Sequence, residues 1–277
     1  MIYIYGTVYN NSQYIEKCIE SLSHLKIKHQ FLIVDNYSDD GTYEILKSLS
    51  RRYNIKLCRR KCKRGKGREI AMNMAENWKN DDVFMYFDGD TIYTQDFLNF
   101  VEKIVPKLDH NSVYIQGLCL AFINFKIHWR NLNVVEDVER YAHFISEGYN
   151  FYGLLPAQKH LLSINEQLNI NNRESRYAKG YKYYFRKISN TLDIIKGDGI
   201  NNITKINQNN PVFKVIILKI IIKILQNKIY SYSTQYSNWQ YFILNAKYID
   251  YRTLEIINKN EIPYNMLLNT ENWYKSN

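Results

Sequence analysis

The sequence predicts an α/β fold: a mostly parallel sheet with helices on both faces, followed by a C-terminal region with helical character. Three observations carry this. Short apolar runs alternate four times with segments whose apolar residues recur at helical spacing. Each apolar run gives way to polar, charged or glycine-containing residues. The 277 residues, with 45% apolar and 23% charged side chains, suit one large folded domain or a domain with an appendage, not a disordered chain. Alternating strands and helices imply right-handed crossovers, and ligands of such sheets bind outside the carboxyl ends of the strands.

The elements follow in order. "IYIYGTV", residues 2–8, is the first strand. Asn10, Asn11 and Ser12 are cap candidates for a helix in "NNSQYIEKCIESL", where Ile15, Cys18, Ile19 and Leu22 share one face. "FLIV", residues 31–34, is the second strand and ends in Asp35. Its loop, "NYSDDGT", offers Ser38 or Asp39 as the cap of a helix in "YEILKSLSRRY". "IKLC", residues 55–58, is the third strand; a basic loop over 59–68 precedes a helix carrying Ile70, Met74 and Trp78. "VFMYF", residues 83–87, is the fourth strand, ended by Asp88. Further on, "SVYIQGLCLAFINF" predicts one or two strands and "YNFYGLLP" another. Between them "NVVEDVERYAHFISEG" predicts a helix with Val135, Val138, Ala142 and Ile145 on one face. From about Ala157 the chain turns polar and Asn-rich, which sets a boundary between a first domain, 1–157, and a C-terminal region, 158–277.

Charge and cysteine usage narrow the function. The formal net charge is +10, and "RRKCKRGKGR" at 59–68 contributes seven basic side chains and no acid, leaving +3 for the rest. One local patch points to an anionic ligand site, and no nucleic acid is expected. Cys18, Cys58, Cys62 and Cys119 form no CxxC pair, so neither a zinc site nor a disulfide framework is expected, and a reducing cytosol is. "MIYIYGTVYNN" has no signal-peptide pattern. No apolar run reaches the roughly 18 residues of a membrane-spanning helix. "PVFKVIILKIIIKILQNKI", residues 211–229, spreads its lysines around the helix: Lys214 and Lys228 fall on one side, Lys219 and Lys223 nearly opposite. It is read either as a peripheral membrane contact over 211–242, with Tyr230, Tyr232, Tyr236 and Trp239 at the interface, or as a helix packed on the domain or on a partner chain, which leaves an oligomer open.

The predicted ligand rim gathers the chemistry. Asp88 and Asp90 flank Gly89; in extended backbone their carboxylates point to one side, and Gly89 leaves room for a ligand. Two carboxylates suit a hard divalent cation completed by substrate phosphates; an Asp-Gly hairpin turn is the alternative. Asp35 is placed to accept hydrogen bonds from a nucleobase or ribose. The dinucleotide-binding GxGxxG and the P-loop GxxxxGK[ST] are both missing, which disfavours an NAD enzyme and a P-loop ATPase. The basic loop suits a pyrophosphate, with a solvated charge run as the alternative. Asn133 and Glu136 fit a capping box, a structural role. Asp137 then lies in the first helical turn, where the macrodipole keeps it ionised, and is a candidate base toward a hydroxyl.

In sequence order these pieces resemble the family 2 glycosyltransferases, which have the GT-A fold, a Rossmann-like nucleotide-diphospho-sugar transferase architecture. The family's Pro-x-Tyr-Asn is here Thr7-Val8-Tyr9-Asn10, and its Asp-Asp-x-Ser-x-Asp-Gly-Thr is here "DNYSDDGT". The Gly-Lys-Gly loop is "RGKGREIAMN", strand-Asp-x-Asp is "FMYFDGD", and the helix-opening Glu-Asp is Glu136-Asp137. Thr7 stands where the family has Pro, and Asn36 where it has a second Asp. The resemblance implies an inverting, metal-dependent hexosyltransferase using Mn2+ or Mg2+. Its donor would be a UDP- or GDP-sugar and its acceptor a hydroxyl of a glycan, lipid-linked sugar or protein. It implies Thr7, Tyr9 and Asp35 on the nucleoside side, Lys66 near the diphosphate, Asp88 toward ribose and metal, Asp90 on the metal, and Asp137 as catalytic base. Arg173 and Arg176 in "RESRYAKGYKYYFRK" are further phosphate contacts on this reading. The protein is then expected in the cytosol or at the cytosolic membrane face. The rivals are a nucleotidyltransferase, disfavoured because no Gly-rich signature follows the first strand, a basic nucleic-acid-binding protein, and a non-catalytic nucleotide-binding protein on the same fold.

Overall fold

A computed structural model describes residues 1–107, 112–116, 120–123, 126–155, 163–165, 181–198, 216, 220, 223, 224, 247–250 and 255–258. Its main sheet is built on β1 (Ile2–Val8), β2 (His29–Asp35), β3 (Ile55–Arg59) and β4 (Val83–Tyr86), all parallel. Beyond β4 come β6 (Ser112–Gln116), β7 (Leu120–Ile123), β8 (Asn150–Leu155), β10 (Lys247–Asp250) and β11 (Ile256–Ile257). The nine strands lie in the order β11-β10-β8-β6-β7-β4-β1-β2-β3, with β7 and β11 antiparallel to their neighbours. A second, two-stranded sheet pairs β5 (Thr91–Tyr93) with β9 (Ser163–Asn165). β9, β10 and β11 all come from beyond residue 157.

Strand alternation sorts the core into two chemistries. Ile2 and Ile4 of β1 point to a face filled by Ile15, Cys18, Ile19 and Leu22 of α1 (Ile15–Ser23), Leu46 and Leu49 of α2 (Thr42–Leu49), and Phe97 and Val101 of α4 (Gln95–Ile104). Tyr3 and Tyr5 point the other way, with Phe84 and Tyr86 of β4, toward Ala71 and Met72 of α3 (Arg64–Asn73), Tyr141 and Phe144 of α5 (Glu136–Ser146), and Trp129. Helices thus cover both faces, as the sequence predicts. Both faces bury large side chains, and each well-buried one contributes roughly 1.5–3 kcal/mol. The last helix with a described span is α6 (Tyr181–Asp198).

Several boundaries differ from expectation. α2 stops at Leu49, short of the Tyr53 foreseen. α3 begins at Arg64, inside the predicted basic loop, and ends at Asn73, before Met74 and Trp78. Partners elsewhere in the chain start it: the Arg64 N–H donates to Asn133 Oδ1 (3.2 Å) and the Gly65 N–H to the Leu132 carbonyl (2.9 Å). Orphan first-turn donors are thereby satisfied from another loop, which overrides the poor helix propensity of glycine. Asn133 is therefore not the cap of α5, and the predicted capping box is absent. Val135 precedes α5 with φ +55, a strained conformation for a β-branched residue. Nor do Asn10, Asn11, Ser12, Ser38 or Asp39 cap by side chain: Tyr14 and Gly41 occupy the N-cap positions of α1 and α2, neither with a side-chain cap bond.

Arg173, Arg176 and most of 211–242 lie outside the described residues. Within 211–242, Ile216, Ile220, Lys223 and Ile224 are helical and exposed. Among the described residues no helix is long and apolar enough to cross a membrane.

Candidate functional site

The carboxyl ends of β1, β2, β3 and β4 meet on one rim. Strand register sets the neighbours there: Val8 pairs with Asp35, and Asp35 with Arg59. In-register residues of parallel strands share a face, so Arg59 Nε lies 3.3 Å from Asp35 Oδ2. The Ser38 N–H donates to that same oxygen at 3.2 Å. Asp35 is fully buried, and its Oδ1 has no hydrogen-bond partner. An unpaired buried carboxylate oxygen is costly and calls for a ligand donor or water. The Arg59 guanidinium is held over the Tyr43 ring (4.6 Å) and the Tyr37 ring (5.2 Å). Tyr37 has φ +55 and is 57% exposed, a large ring left at the rim.

The β1 and β2 loops are laced together. The Asn10 N–H donates to Ser38 Oγ (3.0 Å), the Asn11 N–H to Thr42 Oγ1 (2.8 Å) and the Ser12 N–H to Asp40 Oδ2 (2.9 Å). Asn36, in place of the second Asp, spans two loops: its N–H donates to the Val8 carbonyl, and its Oδ1 accepts the Cys62 N–H, each at 2.9 Å. Tyr9 is half-buried between these loops. Burial raises its pKa, Asp39 adds to this, and Arg186 of α6 opposes it, so α6 brings positive charge beside Tyr9.

At the end of β4 the turn and the carboxylates coexist. The Thr91 N–H donates to the Asp88 carbonyl (3.2 Å), closing a β-turn over residues 88–91. The extended geometry expected for Asp88-Gly89-Asp90 is therefore absent. The Asp88 backbone is pinned further, its N–H on Tyr93 Oη (3.0 Å) and its carbonyl accepting the Cys18 thiol (3.4 Å). Gly89 does not open ligand space, because a Cβ there would lie 2.9 Å from Val8 Cγ1 and 3.3 Å from Ile15 Cδ1. Its smallness seats the turn on β1 and α1. Asp88 and Asp90 are both half-buried at this turn.

The basic segment is largely paired within the protein. Lys63 meets Asp193 of α6 (2.6 Å), Lys66 meets Glu69, and both Arg64 (3.4 Å) and Arg68 (2.9 Å) meet Glu136 Oε1. Glu69 also holds His128. Arg60 and Lys61 are exposed. The glycines of this segment serve close packing. A Cβ on Gly67 would lie 2.2 Å from Thr7 Oγ1, and one on Gly65 would lie 2.1 Å from the Arg130 carbonyl. Thr7 thus presses α3 against β1, and its hydroxyl donates to the Arg64 carbonyl (3.3 Å).

Opposite lies the N-terminus of α5. Glu136 is fully buried while Asp137 is half-buried at the surface. Burial lifts the Glu136 carboxyl to about 7; Asp137 adds to the rise, and Arg64 and Arg68 oppose it. Arg68 is 4% exposed and lies over the Tyr86 ring (4.3 Å) and the Trp129 ring (4.9 Å). Burial works against its charge, but Tyr86, Glu136, Asp137 and Asp88 more than offset it and raise its pKa. Sequence reading missed Trp129, Asp193 and Arg186, and counted Arg68 only as part of a charge run. Asp193 ties Lys63 to the Asn133 N–H (2.9 Å), a bridge with no local sequence signal.

The site is thus a mostly parallel α/β sheet with carboxylates and a cationic helix start on the carboxyl rim of β1–β4. The profile of glycosyl transferase family 2 matches residues 4–190, and the chain belongs to that family. No curated protein matches it. Among solved structures, it is similar to S. aureus TarS 1-349 (14% identity, 52% of this chain and 55% of that one, TM-score 0.44). It is also similar to TarS 1-349 in complex with UDP-GlcNAc (13%, 71% and 67%, 0.45). A third is the mannosyltransferase PcManGT from Pyrobaculum calidifontis in complex with GDP-Man and Mn2+ (12%, 68% and 63%, 0.49). The chain thus spans about half the length of the first of these structures.

Proposed function

We propose that this protein transfers a sugar from a nucleoside-diphosphate sugar of the UDP or GDP type to a hydroxyl acceptor, with inversion at the anomeric carbon and with Mn2+ or Mg2+. The observation that carries the reading is spatial. The turn after β4 carries Asp88 and Asp90, Asp137 lies in the first turn of α5, and Arg68 of α3 lies within electrostatic reach of both Asp88 and Asp137. On this reading Asp35, with its unpartnered Oδ1, and Tyr9 receive the base and ribose. Thr7 acts from beneath by seating α3. Lys66 exchanges Glu69 for the diphosphate.

In the transfer, Asp137 takes the proton of the acceptor hydroxyl. The acceptor oxygen forms its bond to C1 from the face opposite the diphosphate. The bond from C1 to the β-phosphate oxygen breaks, and its electron pair stays on the departing nucleoside diphosphate. The donor set fits a hard cation: two carboxylates on one turn match the mode in which substrate phosphates complete the shell. Among the described residues no three His, Cys, Asp or Glu side chains gather as an all-protein cage. Asp90 would hold the ion, with Asp88 shared between ion and ribose. When bound, the ion offsets charge on the leaving diphosphate.

Residues 1–157 are taken to carry the transfer residues, and 158–277 to complete the sheets, support the rim through α6, and add acceptor, oligomer or membrane contacts. The exposed Ile216, Ile220 and Ile224 support a peripheral membrane contact through 211–242. The test is turnover of a panel of nucleotide sugars with and without Mn2+, with water or simple glycosides as acceptor and the product anomer read by NMR. Metal-dependent release of nucleoside diphosphate with an inverted anomer is expected. Retained configuration would overturn the inversion, and no turnover of any donor would overturn the transfer itself.

A further inference from the structure

We propose that Arg68 is a positioning residue that fixes the acceptor-side base relative to the donor-side carboxylates. The proposal rests on the glycosyl transfer proposed above and adds a residue to it. Arg68 touches both sides of the site. Its Nη1 donates to Glu136 Oε1 at 2.9 Å, and Glu136 immediately precedes Asp137 in the first turn of α5. Its guanidinium lies 4.3 Å over the ring of Tyr86, the last residue of β4 and two before Asp88. Trp129 covers it at 4.9 Å. The negative groups that face it are Glu136 and Asp137 from α5 and Asp88 from the end of β4; Arg64, one helical turn earlier on α3, shares Glu136 Oε1 at 3.4 Å.

A buried ion pair is a poor source of stability, since desolvation cancels most of the attraction. A planar, always charged fork held between a carboxylate and two aromatic rings is instead a rigid spacer. α5 needs one, because its N-terminus rests on Val135 in a strained φ of +55, with no capping box to fix the first turn. Arg68 supplies the missing fixation from below: it draws Glu136 inward and leaves Asp137 at the rim.

The experiment uses the full chain and hydrolysis of UDP-glucose, UDP-GlcNAc and GDP-mannose with Mn2+, and measures kcat, donor KM and calorimetric binding of UDP and GDP. R68M is expected to lower kcat about 100-fold, the scale of a misplaced catalytic group, while nucleotide affinity stays within about threefold. R68K keeps the charge on a shorter reach to Glu136 and is expected to recover part of kcat. Wild-type kcat in R68M would overturn the proposal, and so would a loss that falls wholly on nucleotide affinity. If R68M does not fold, R68M/E136Q removes both buried charges together, which is far less costly than orphaning one; a folded double variant with wild-type kcat would overturn the proposal equally. Absence of hydrolysis in the wild-type protein is a different result: it would remove the transfer reading, and this proposal with it.

Discussion

Glu136 and Asp137 are adjacent carboxylates with opposite surroundings, one sealed under α5 and one at the rim. Asp137→Asn is expected to keep nucleotide-sugar binding and lose transfer by a factor of about 10²–10⁴, the range for removal of a general base; calorimetry beside a transfer assay checks it. Full activity would remove Asp137 from the mechanism. Glu136 gives a pH test. Burial raises its carboxyl to about 7 in the fold, against about 4.3 when unfolded. Its contribution to stability is therefore full below the unfolded value and is lost as pH rises through about 7. Glu136→Gln cannot ionise, so its Tm relative to wild type is expected to climb between about pH 5 and about pH 8; a flat difference in thermal unfolding would contradict the raised carboxyl. At this scale the sequence located positions, with Asp35 closing β2 and Asp137 in the first turn of α5, but not the local geometry, since neither the capping box of Asn133 and Glu136 nor the extended Asp88-Gly89-Asp90 is present. It was silent on Arg68 and Asp193, whose partners lie 68 and 130 residues away.

The element with most to teach is α3. The sequence places a flexible basic loop where the structure has about the first turn and a half of a helix, because its starting donors bond to Leu132 and Asn133, far along the chain. Its glycines are there for contact, not freedom. Gly67→Ala is expected to destabilise by about 1–3 kcal/mol through overpacking, since the new Cβ would meet Thr7 Oγ1 at 2.2 Å and Cγ2 at 2.7 Å. Thr7→Ala in the same chain removes both atoms and is expected to restore much of the loss; denaturant titration of the two variants decides. The first four strands, by contrast, were readable to within two residues, β1 being Ile2–Val8 as predicted, whereas β5, β9, β10 and β11 were not foreseen. An apolar run buried on both faces leaves little choice of register or span. Caps were misjudged because the polar loop residues bond across loops, as Asn10 does to Ser38, and not to their own helix.

Across the whole molecule the basic patch changes meaning. Of the seven cations in 59–68, Arg59, Lys63, Arg64, Lys66 and Arg68 each meet a carboxylate of the same chain. Those carboxylates are spread from Asp35 to Asp193, so the patch ties the rim of the sheet to α5 and α6. A net charge read from sequence counts these cations as available; folding neutralises most of them locally, and that pairing is invisible before the chain is in three dimensions. The central claim is a nucleotide-sugar site completed by a cation on the β4 turn. Its most direct test is thermal unfolding with UDP- and GDP-sugars, with and without Mn2+, in wild type and Asp90→Asn. At least one donor is expected to raise the Tm of wild type only when Mn2+ is present, and to lose that effect in Asp90→Asn. Wild-type stabilisation by no donor with Mn2+, or equal stabilisation of Asp90→Asn, would contradict it.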